Sequence, residues 1–184
     1  MTGLAHRWSA RAAGAATAAL LIVGSAAGTA FAAETDRTAV RADGYQPTFD
    51  VTAQYAVVAT THPDAEGCGG FEVIGTGTAT GKPIDSGTWT QDEEACTVTV
   101  PGKYDIKGTA TITESDGDEL NVSYHLTAPL TEEHRVYPTG TFKITGGTGE
   151  YQFATGSGKM NAWVNLLDHD NVSCRLMGEI KYLG

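Results

Sequence analysis

Six aromatic residues alternate with polar ones along apolar segments, where their side chains could together hold a small molecule. They are Tyr55, Phe71, Tyr104, Tyr124, Phe142 and Tyr182. Residues of one parity share a face of a strand, so this alternation predicts that the rings lie on a buried face. Apolar side chains with a few hydroxyl groups among them are typical of a small-molecule site. The sequence therefore predicts a candidate ligand site on that face.

The volume left open on this face determines whether a ligand fits there. Small residues occur at the same parity and could leave space for a ligand: Ala53, Gly75, Gly77, Gly108 and Ala110. The alternative is a core packed solid, with only the tyrosine hydroxyls reaching its rim. A barrel of eight strands can adopt either arrangement. Both interpretations stay open from the sequence.

Catalytic chemistry has less support in the sequence. General acid–base catalysis needs a carboxyl or imidazole group within reach of the substrate. Glu72 and His125 have outward parity, and the acidic run at residues 91–95 is interpreted as a turn. No spacing matches a zinc site or an EF-hand loop. We therefore assign no catalytic residue and predict no metal and no cofactor.

The strands that position these residues are predicted from apolar–polar alternation. Their expected ranges are 49–59, 71–80, 87–91, 96–112, 120–128, 140–145, 151–166 and 172–182. Pro101-Gly102 is either a kink in one long strand or the break of a hairpin. An even number of antiparallel strands lets the first pair with the last and removes both edges. We expect an all-β fold, a single eight-stranded antiparallel up-and-down β-barrel, with a β-sandwich as the alternative.

Glycines mark one hairpin within this sheet. Phe142 and Ile144 end a strand, and Gly146, Gly147 and Gly149 follow them. Glycine adopts positive φ without steric cost, as tight strand reversals require. We therefore expect these three glycines to build the turn, and the next strand to restart at residue 151.

The three cysteines are assigned by loop placement. The strand order suggests that loops 61–69, 91–95, 146–150 and 168–171 share one end of the barrel, with the loop of Cys68 next to those of Cys96 and Cys174. A disulfide needs Cα atoms about 4.4–6.8 Å apart. Cys68 is thus expected to form the disulfide, whichever of the other two cysteines is its partner. Cys96 is the preferred partner, which leaves Cys174 as a buried thiol, and pairing with Cys174 stays the alternative.

The amino-terminal residues carry the pattern of a secretory signal. Arg7 and Arg11 precede an apolar run, and Ala30-Phe31-Ala32 fits the small-x-small cleavage rule. We expect a signal peptide at 1–32, a flexible leader at 33–47 and a barrel domain at 48–184. The mature chain would be secreted, without membrane insertion after processing.

The charge of that mature chain limits its partners. Without the two arginines of the signal, 10 basic residues stand against 22 acidic ones, a net charge of −12. Such a charge argues against nucleic acid and anionic membrane as partners. A small hydrophobic ligand remains compatible with it. The sequence leaves the oligomeric state open.

Several glycine- and threonine-rich runs resemble the allene oxide cyclase/dirigent barrel-like superfamily, in particular small secreted bacterial members. These runs are Gly140–Gly158, Ala59–His62 leading to Gly70-Phe71, Gly108–Thr113 followed by Gly117-Asp118, and Gly178–Tyr182. The resemblance implies a calycin-like, eight-stranded antiparallel barrel with an apolar interior. Plant members cyclise an epoxide or steer phenoxy-radical coupling, and some bacterial relatives cyclise polyketides. No catalytic residue of those families can be matched to a position of this sequence.

Three functions follow as hypotheses. The first is a secreted, non-enzymatic protein that binds a small apolar ligand in the barrel. The second is a cofactor-free cyclase or isomerase, and the third is an extracellular protein that acts through its surface. Hydroxyl groups alone in a pocket would favour binding, whereas an ionisable group pointing into it would favour the enzyme. A barrel without a pocket would favour the third.

Overall fold

The computed structural model describes residues 48–62 and 67–182. The predicted signal peptide (1–32) and leader (33–47) lie outside these residues, which begin where the barrel domain was predicted to begin. The described strands are β1 (Thr48–His62), β2 (Gly70–Lys82), β3 (Ser86–Cys96), β4 (Lys103–Glu114), β5 (Glu119–Pro129), β6 (Arg135–Val136), β7 (Thr139–Gly147), β8 (Thr155–Asn165) and β9 (Asp168–Lys181). One turn of 3-10 helix, Gly149–Tyr151, precedes β8. Nowhere in these two ranges does a helix have the length and apolar character to cross a membrane.

Eight of these strands close into an antiparallel barrel. Around the ring the order is β1, β2, β3, β4, β5, β7, β8 and β9, and β9 pairs back onto β1. Consecutive strands of the ring are therefore neighbours, as in an up-and-down barrel. The two-residue strand β6 lies outside the ring and pairs with β8. The predicted eight-stranded antiparallel barrel is confirmed.

The inward side chains fill one half of the barrel. This packed half lies toward the β2–β3, β4–β5 and β7–β8 turns. Its largest fully buried side chains include Phe49, Trp89, Ile112, Leu120, Phe142, Leu176 and Ile180. Ile84 of the β2–β3 turn and Tyr151 of the 3-10 turn are fully buried in the same core cluster, so they close this end. The Tyr151 hydroxyl is satisfied there because it donates to Glu114 Oε2 at 2.9 Å.

The acidic run at residues 91–95 is a strand, and its interpretation as a turn was wrong. β3 continues to Cys96 and pairs with β2 and β4, with Glu93 opposite Val73 on one side and Gly108 on the other. Two neighbours hydrogen-bond this segment throughout, so the ladder outweighs the weak strand propensity of its acidic residues. Trp89, Glu93 and Ala95 consequently share the inward parity. Trp89 is fully buried in the core.

The chain reverses at Pro101-Gly102, so the hairpin alternative applies there. Lys103 N donates to Val100 O at 3.2 Å, and β4 begins only at Lys103. Residues 96–100 therefore do not belong to the fourth strand. Val98, which falls within the predicted strand 96–112, is 59% exposed.

The glycine hairpin differs in detail from its prediction. Gly146 and Gly149 have positive φ, +107° and +52°. Gly147 does not, and it is required for another reason, because a Cβ there would overlap the carbonyl oxygen of Glu119. The chain makes a 3-10 turn before β8 begins at Thr155, so the strand does not restart at residue 151. This turn joins β7 to β8 and therefore lies at the packed end, not with the cysteines.

The disulfide joins Cys68 to Cys96, as predicted, with a Cα–Cα distance of 4.5 Å. The Cys68 carbonyl also accepts hydrogen bonds from the backbone of Thr97 and Val98, at 2.9 and 3.2 Å. These bonds tie the start of β2 to the end of β3. Cys174 is a free, buried thiol, again as predicted.

Candidate ligand cavity

The other half of the barrel, the open half, contains a cavity of about 350 Å³. That volume lies at the lower end of the range for small-molecule sites. The lining is largely apolar and comes from seven strands of the ring and from the β5–β7 connection. The lining residues are Tyr55, Val57, Ala59, Phe71, Val73, Gln91, Glu93, Ala95, Tyr104, Ile106, Leu126, Val136, Pro138, Met160, Ala162, Val164, Leu166, His169 and Val172.

Small side chains in the wall keep this half open. Ala59, Ala95 and Ala162 all line the cavity, each on a different strand. At the mouth, Phe71 and Leu166 are 37% and 38% exposed, and His169 is exposed as well. An apolar molecule can therefore enter from this end without crossing a closed core.

The floor of the cavity is a polar and aromatic layer. The rings of Tyr55 and Trp89 stack with centroids 5.9 Å apart. Trp89 Nε1 donates to Gln91 Oε1 at 3.0 Å, which satisfies both buried groups. Because Gln91 lines the cavity while Trp89 belongs to the core, this layer separates the open half from the packed half.

A carboxyl group and a phenol meet in the wall. The Tyr124 hydroxyl donates to Glu93 Oε2 at 2.8 Å, reaching from β5 across β4 to β3. The residue between them on β4 is Gly108. A Cβ at Gly108 would lie 2.5 Å from the Tyr124 hydroxyl oxygen and 2.7 Å from Glu93 Cβ. Glycine at this position is therefore what lets the two side chains meet.

Burial changes the proton affinity of these groups. It raises the pKa of Glu93 to about 7, while the Tyr124 hydrogen bond lowers it and the nearby charge of Asp92 raises it further. Burial likewise raises the pKa values of Tyr55 and Tyr124 well above the usual range, and that of Cys174 to about 12. Near neutral pH the phenols and the thiol are thus uncharged. Glu93 can then either accept or donate a proton.

The six aromatic candidates separate into two groups. Tyr55, Phe71 and Tyr104 line the cavity. Tyr124 is not part of the lining, but its hydroxyl donates to the carboxylate of Glu93, which is. Phe142 lies in the packed half, with its ring 5.3 Å from that of Phe49. Tyr182 follows the end of β9, is 40% exposed and packs against Tyr151, so it lies outside the cavity.

Two of the small residues expected to open the cavity instead make room for neighbouring side chains. A Cβ at Gly75 would lie 2.7 Å from Gln91 Cγ, and Gly108 is crossed by Tyr124. Gly77 lies against the backbone of β1, where a Cβ would overlap Gln54 O. The cavity is therefore opened by the alanines nearer the mouth.

Gln91 and Glu93 are cavity residues that the sequence reasoning missed. The signal was present, because Trp89, Gln91, Glu93 and Ala95 continue one parity. The interpretation of the acidic run as a turn hid it. His169 was likewise not expected to border the cavity.

A second concave region, of about 740 Å³, runs across the outside of β3, β4, β5 and β7. Its residues are largely polar and include Asp92, Glu94, Lys107, His125 and Lys143. Beside it Asp105 is buried on the outer face, where it pairs with His125 Nε2 and with Lys107 Nζ, the latter at 3.5 Å. The His125 hydrogen bond is the main cause that lowers the pKa of Asp105. His125 and Lys107 thus compensate the buried carboxylate of Asp105, which belongs to the barrel wall.

No protein-family model matches this chain, and neither the curated proteins nor the solved structures contain a match to it. The resemblance of the run Gly140–Gly158 to the allene oxide cyclase/dirigent group therefore stays a hypothesis. The barrel and the chemistry of its cavity remain the features that bear on function.

Proposed function

We propose that this protein binds a small, largely apolar molecule in the cavity of the open half. The observation that carries the proposal is the cavity itself: about 350 Å³, open at one end, apolar in most of its lining. Burying an apolar ligand there releases about 25 cal/mol for each Å² removed from water. Gln91, Glu93 and the hydroxyl groups of the lining tyrosines would orient the ligand, since they are the polar groups of the lining apart from His169 at the mouth.

We also propose that it does so outside the cell, after loss of residues 1–32. The disulfide between Cys68 and Cys96 supports this, because such bonds persist in oxidising compartments. The sequence pattern around Arg7, Arg11 and Ala32 gives the second support.

A fluorescence titration tests the binding proposal. N-phenyl-1-naphthylamine is a neutral, apolar dye that brightens in apolar surroundings. We expect a saturable rise in its emission with one site per chain, lost in urea. Ala162→Leu should remove it because Leu fills the cavity. Trp163→Ala should preserve it because Trp163 is exposed outside the cavity lining. No saturable rise, or a rise lost in Trp163→Ala and kept in Ala162→Leu, would count against cavity binding.

One observation favours a second candidate function, a cofactor-free cyclase or isomerase. Glu93 borders the cavity, and burial raises its pKa to about 7. A general acid or base works best with a pKa near the working pH. Glu93 could therefore exchange a proton with a bound molecule while Tyr124 holds its other oxygen.

Conversion of the bound compound to an isomer of the same mass would distinguish this enzyme from a protein that only binds. The compound released from the purified protein by denaturation is incubated with fresh wild-type protein and with Glu93→Gln. The enzyme hypothesis predicts that the wild type alone converts it to, or equilibrates it with, an isomer of unchanged mass, detected by chromatography with mass spectrometry. Full recovery of the unchanged compound from both incubations favours binding alone.

A further inference from the structure

Glu93 brings a carboxyl group into a cavity whose lining is otherwise largely apolar. Of the described residues, only Tyr124 hydrogen-bonds its carboxylate, through Oε2. An ionised carboxylate in an apolar site is costly unless an opposite charge or several donors compensate it. One phenol is a single donor. The ionised form of Glu93 is therefore under-compensated by the protein.

Within the cavity, the described residues supply no cation to this group. The described residues that line the cavity include no Lys and no Arg. The groups that face Glu93 from the surrounding strands are Tyr124 on β5, Tyr55 on β1 and Cys174 on β9, and Asp92 is its acidic neighbour on β3. None of them carries positive charge. On the outside of the wall, Glu93 also borders the concave region that contains Lys107, His125 and Lys143, and the first two of these pair with Asp105. His169 lies at the mouth, on the cavity lining.

We propose that the cavity selects lipophilic cations, meaning small aromatic or aliphatic amines whose ammonium group pairs with Glu93. This inference rests on the proposed binding function and narrows its ligand class. An ammonium at Glu93 completes a charge-assisted hydrogen bond, which is about twice as strong as a neutral one. The apolar body of the ligand then lies against the side chains nearer the mouth.

Two further features favour a cation over an anion or a neutral molecule. Aromatic faces attract ammonium groups, and the rings of Tyr55, Phe71 and Tyr104 line the same cavity. The whole chain is acidic, with a formal net charge of −10. Its field therefore attracts cationic ligands and repels anionic ones.

The pairing makes binding depend on pH with a definite sign. The ammonium requires ionised Glu93, whose pKa in the free protein is about 7. Below that value the affinity should fall about tenfold for each pH unit, and above it the affinity should level off. A carboxylic acid ligand would show the opposite slope, and a neutral ligand a nearly flat one.

Three matched probes test the inference: 2-(2-naphthyl)ethylamine, 2-(2-naphthyl)ethanol and 2-naphthylacetate. Each is titrated calorimetrically into the full chain between pH 5.5 and 8.5. At pH 8 we expect the amine to bind about tenfold or more tightly than the alcohol, as a hydrogen bond to a charged group allows. In Glu93→Gln that ratio should fall to about one. The matched control Glu94→Gln removes the same charge outside the cavity lining and should leave the ratio unchanged.

The outcomes separate the inference from the proposed function. Equal or tighter binding of the alcohol, or an amine affinity that falls as pH rises, would overturn the cation inference and leave the binding site in place. No binding of any probe, together with no dye binding, would overturn both.

If Glu93→Gln fails to fold, Tyr124→Phe replaces it. Loss of the phenol donor should move the midpoint of the amine's pH profile upward, because that bond lowers the pKa of Glu93. The same series on Glu94→Gln, outside the cavity lining, should keep the wild-type profile.

Discussion

The two halves of the barrel are built from the same strands and the same alternation, yet only one is filled. In the packed half, Phe142 and Trp89 are almost completely buried, and Ile84 and Tyr151 cover the end. In the open half, alanines occupy inward positions, and Phe71 and Leu166 remain partly exposed at the mouth. The difference shows that alternation determines which face is inward, whereas side-chain size and the turn residues determine whether the inside is solid.

The division also separates stability from function. A filled core of buried aromatic and aliphatic side chains supplies most of the apolar burial that stabilises a domain of this size. The open half contributes less, and it carries the polar groups: Gln91, Glu93 and the tyrosine hydroxyls. Substitutions in the two halves should therefore have different consequences, and four comparisons test this.

The largest effect is expected for a pair of phenylalanine substitutions. Phe142→Ala should lower the free energy of unfolding by about 3–5 kcal/mol, because it leaves a cavity in a packed core. Phe71→Ala should lower it by about 1 kcal/mol, because Phe71 is 37% exposed at the mouth. Urea unfolding followed by tryptophan fluorescence measures both. Equal losses would contradict the division into halves.

The disulfide is the next largest contribution, and it stabilises the open half. Its cysteines are 28 residues apart. A loop of that length corresponds to about 3–4 kcal/mol of unfolded-state entropy. The double variant Cys68→Ser/Cys96→Ser should lose that much stability in urea. The single variant Cys174→Ser keeps the disulfide and serves as the control. A loss well below 1 kcal/mol would indicate that other contacts hold the end of the barrel.

Stability should also depend on pH through Glu93. Its pKa is raised from 4.5 to about 7 on folding, so the folded state holds the proton more tightly. This contribution is fully present below about pH 4.5 and is lost as pH rises through 7, for a total on the order of 3 kcal/mol. Urea unfolding of the wild type and of Glu93→Gln at pH 5 and pH 8 gives the difference. The variant should lose less stability than the wild type between these pH values. Parallel profiles would show that Glu93 ionises as freely as in water.

The smallest effect is expected for two alanine substitutions. Ala110→Leu should cost about 1–3 kcal/mol, because the inward space around Ala110 is already packed. Ala162→Leu adds the same group to the cavity lining and should change stability by less than about 0.5 kcal/mol. Thermal unfolding resolves the two. A large loss in Ala162→Leu would mean that the open half has no spare volume.

The fold was largely predictable from the sequence, and the cavity only in part. Parity alone gave the eight strands, because each has one buried face. Loop placement indicated Cys68 as one cysteine of the disulfide, and Cys96, the preferred partner over Cys174, is the one it pairs with. Glu93 escaped prediction because three consecutive acidic residues are unusual in a strand that has a neighbour on both sides. Local composition there predicts a turn, whereas parity predicts a strand. The segment is a strand because it hydrogen-bonds to a neighbouring strand on each side.

Cavity volume depends on contacts that no single strand encodes. Gly75 and Gly108 looked like empty space, but Gln91 and Tyr124 from neighbouring strands occupy it. Tyr182 has inward parity with Ile180, yet β9 ends at Lys181 and its ring lies outside the cavity. Such outcomes depend on register between strands and on where each strand ends, and alternation reports neither.

Native mass spectrometry of wild-type protein and Ala162→Leu, purified side by side from culture medium, tests the central claim most directly. We predict a small, largely apolar compound on the wild type, at one per chain, released on denaturation and absent or strongly reduced on Ala162→Leu. The same compound at equal occupancy on both proteins would place binding outside the cavity. Wild-type protein that carries nothing and binds neither the dye nor the naphthyl probes would contradict a ligand-binding barrel.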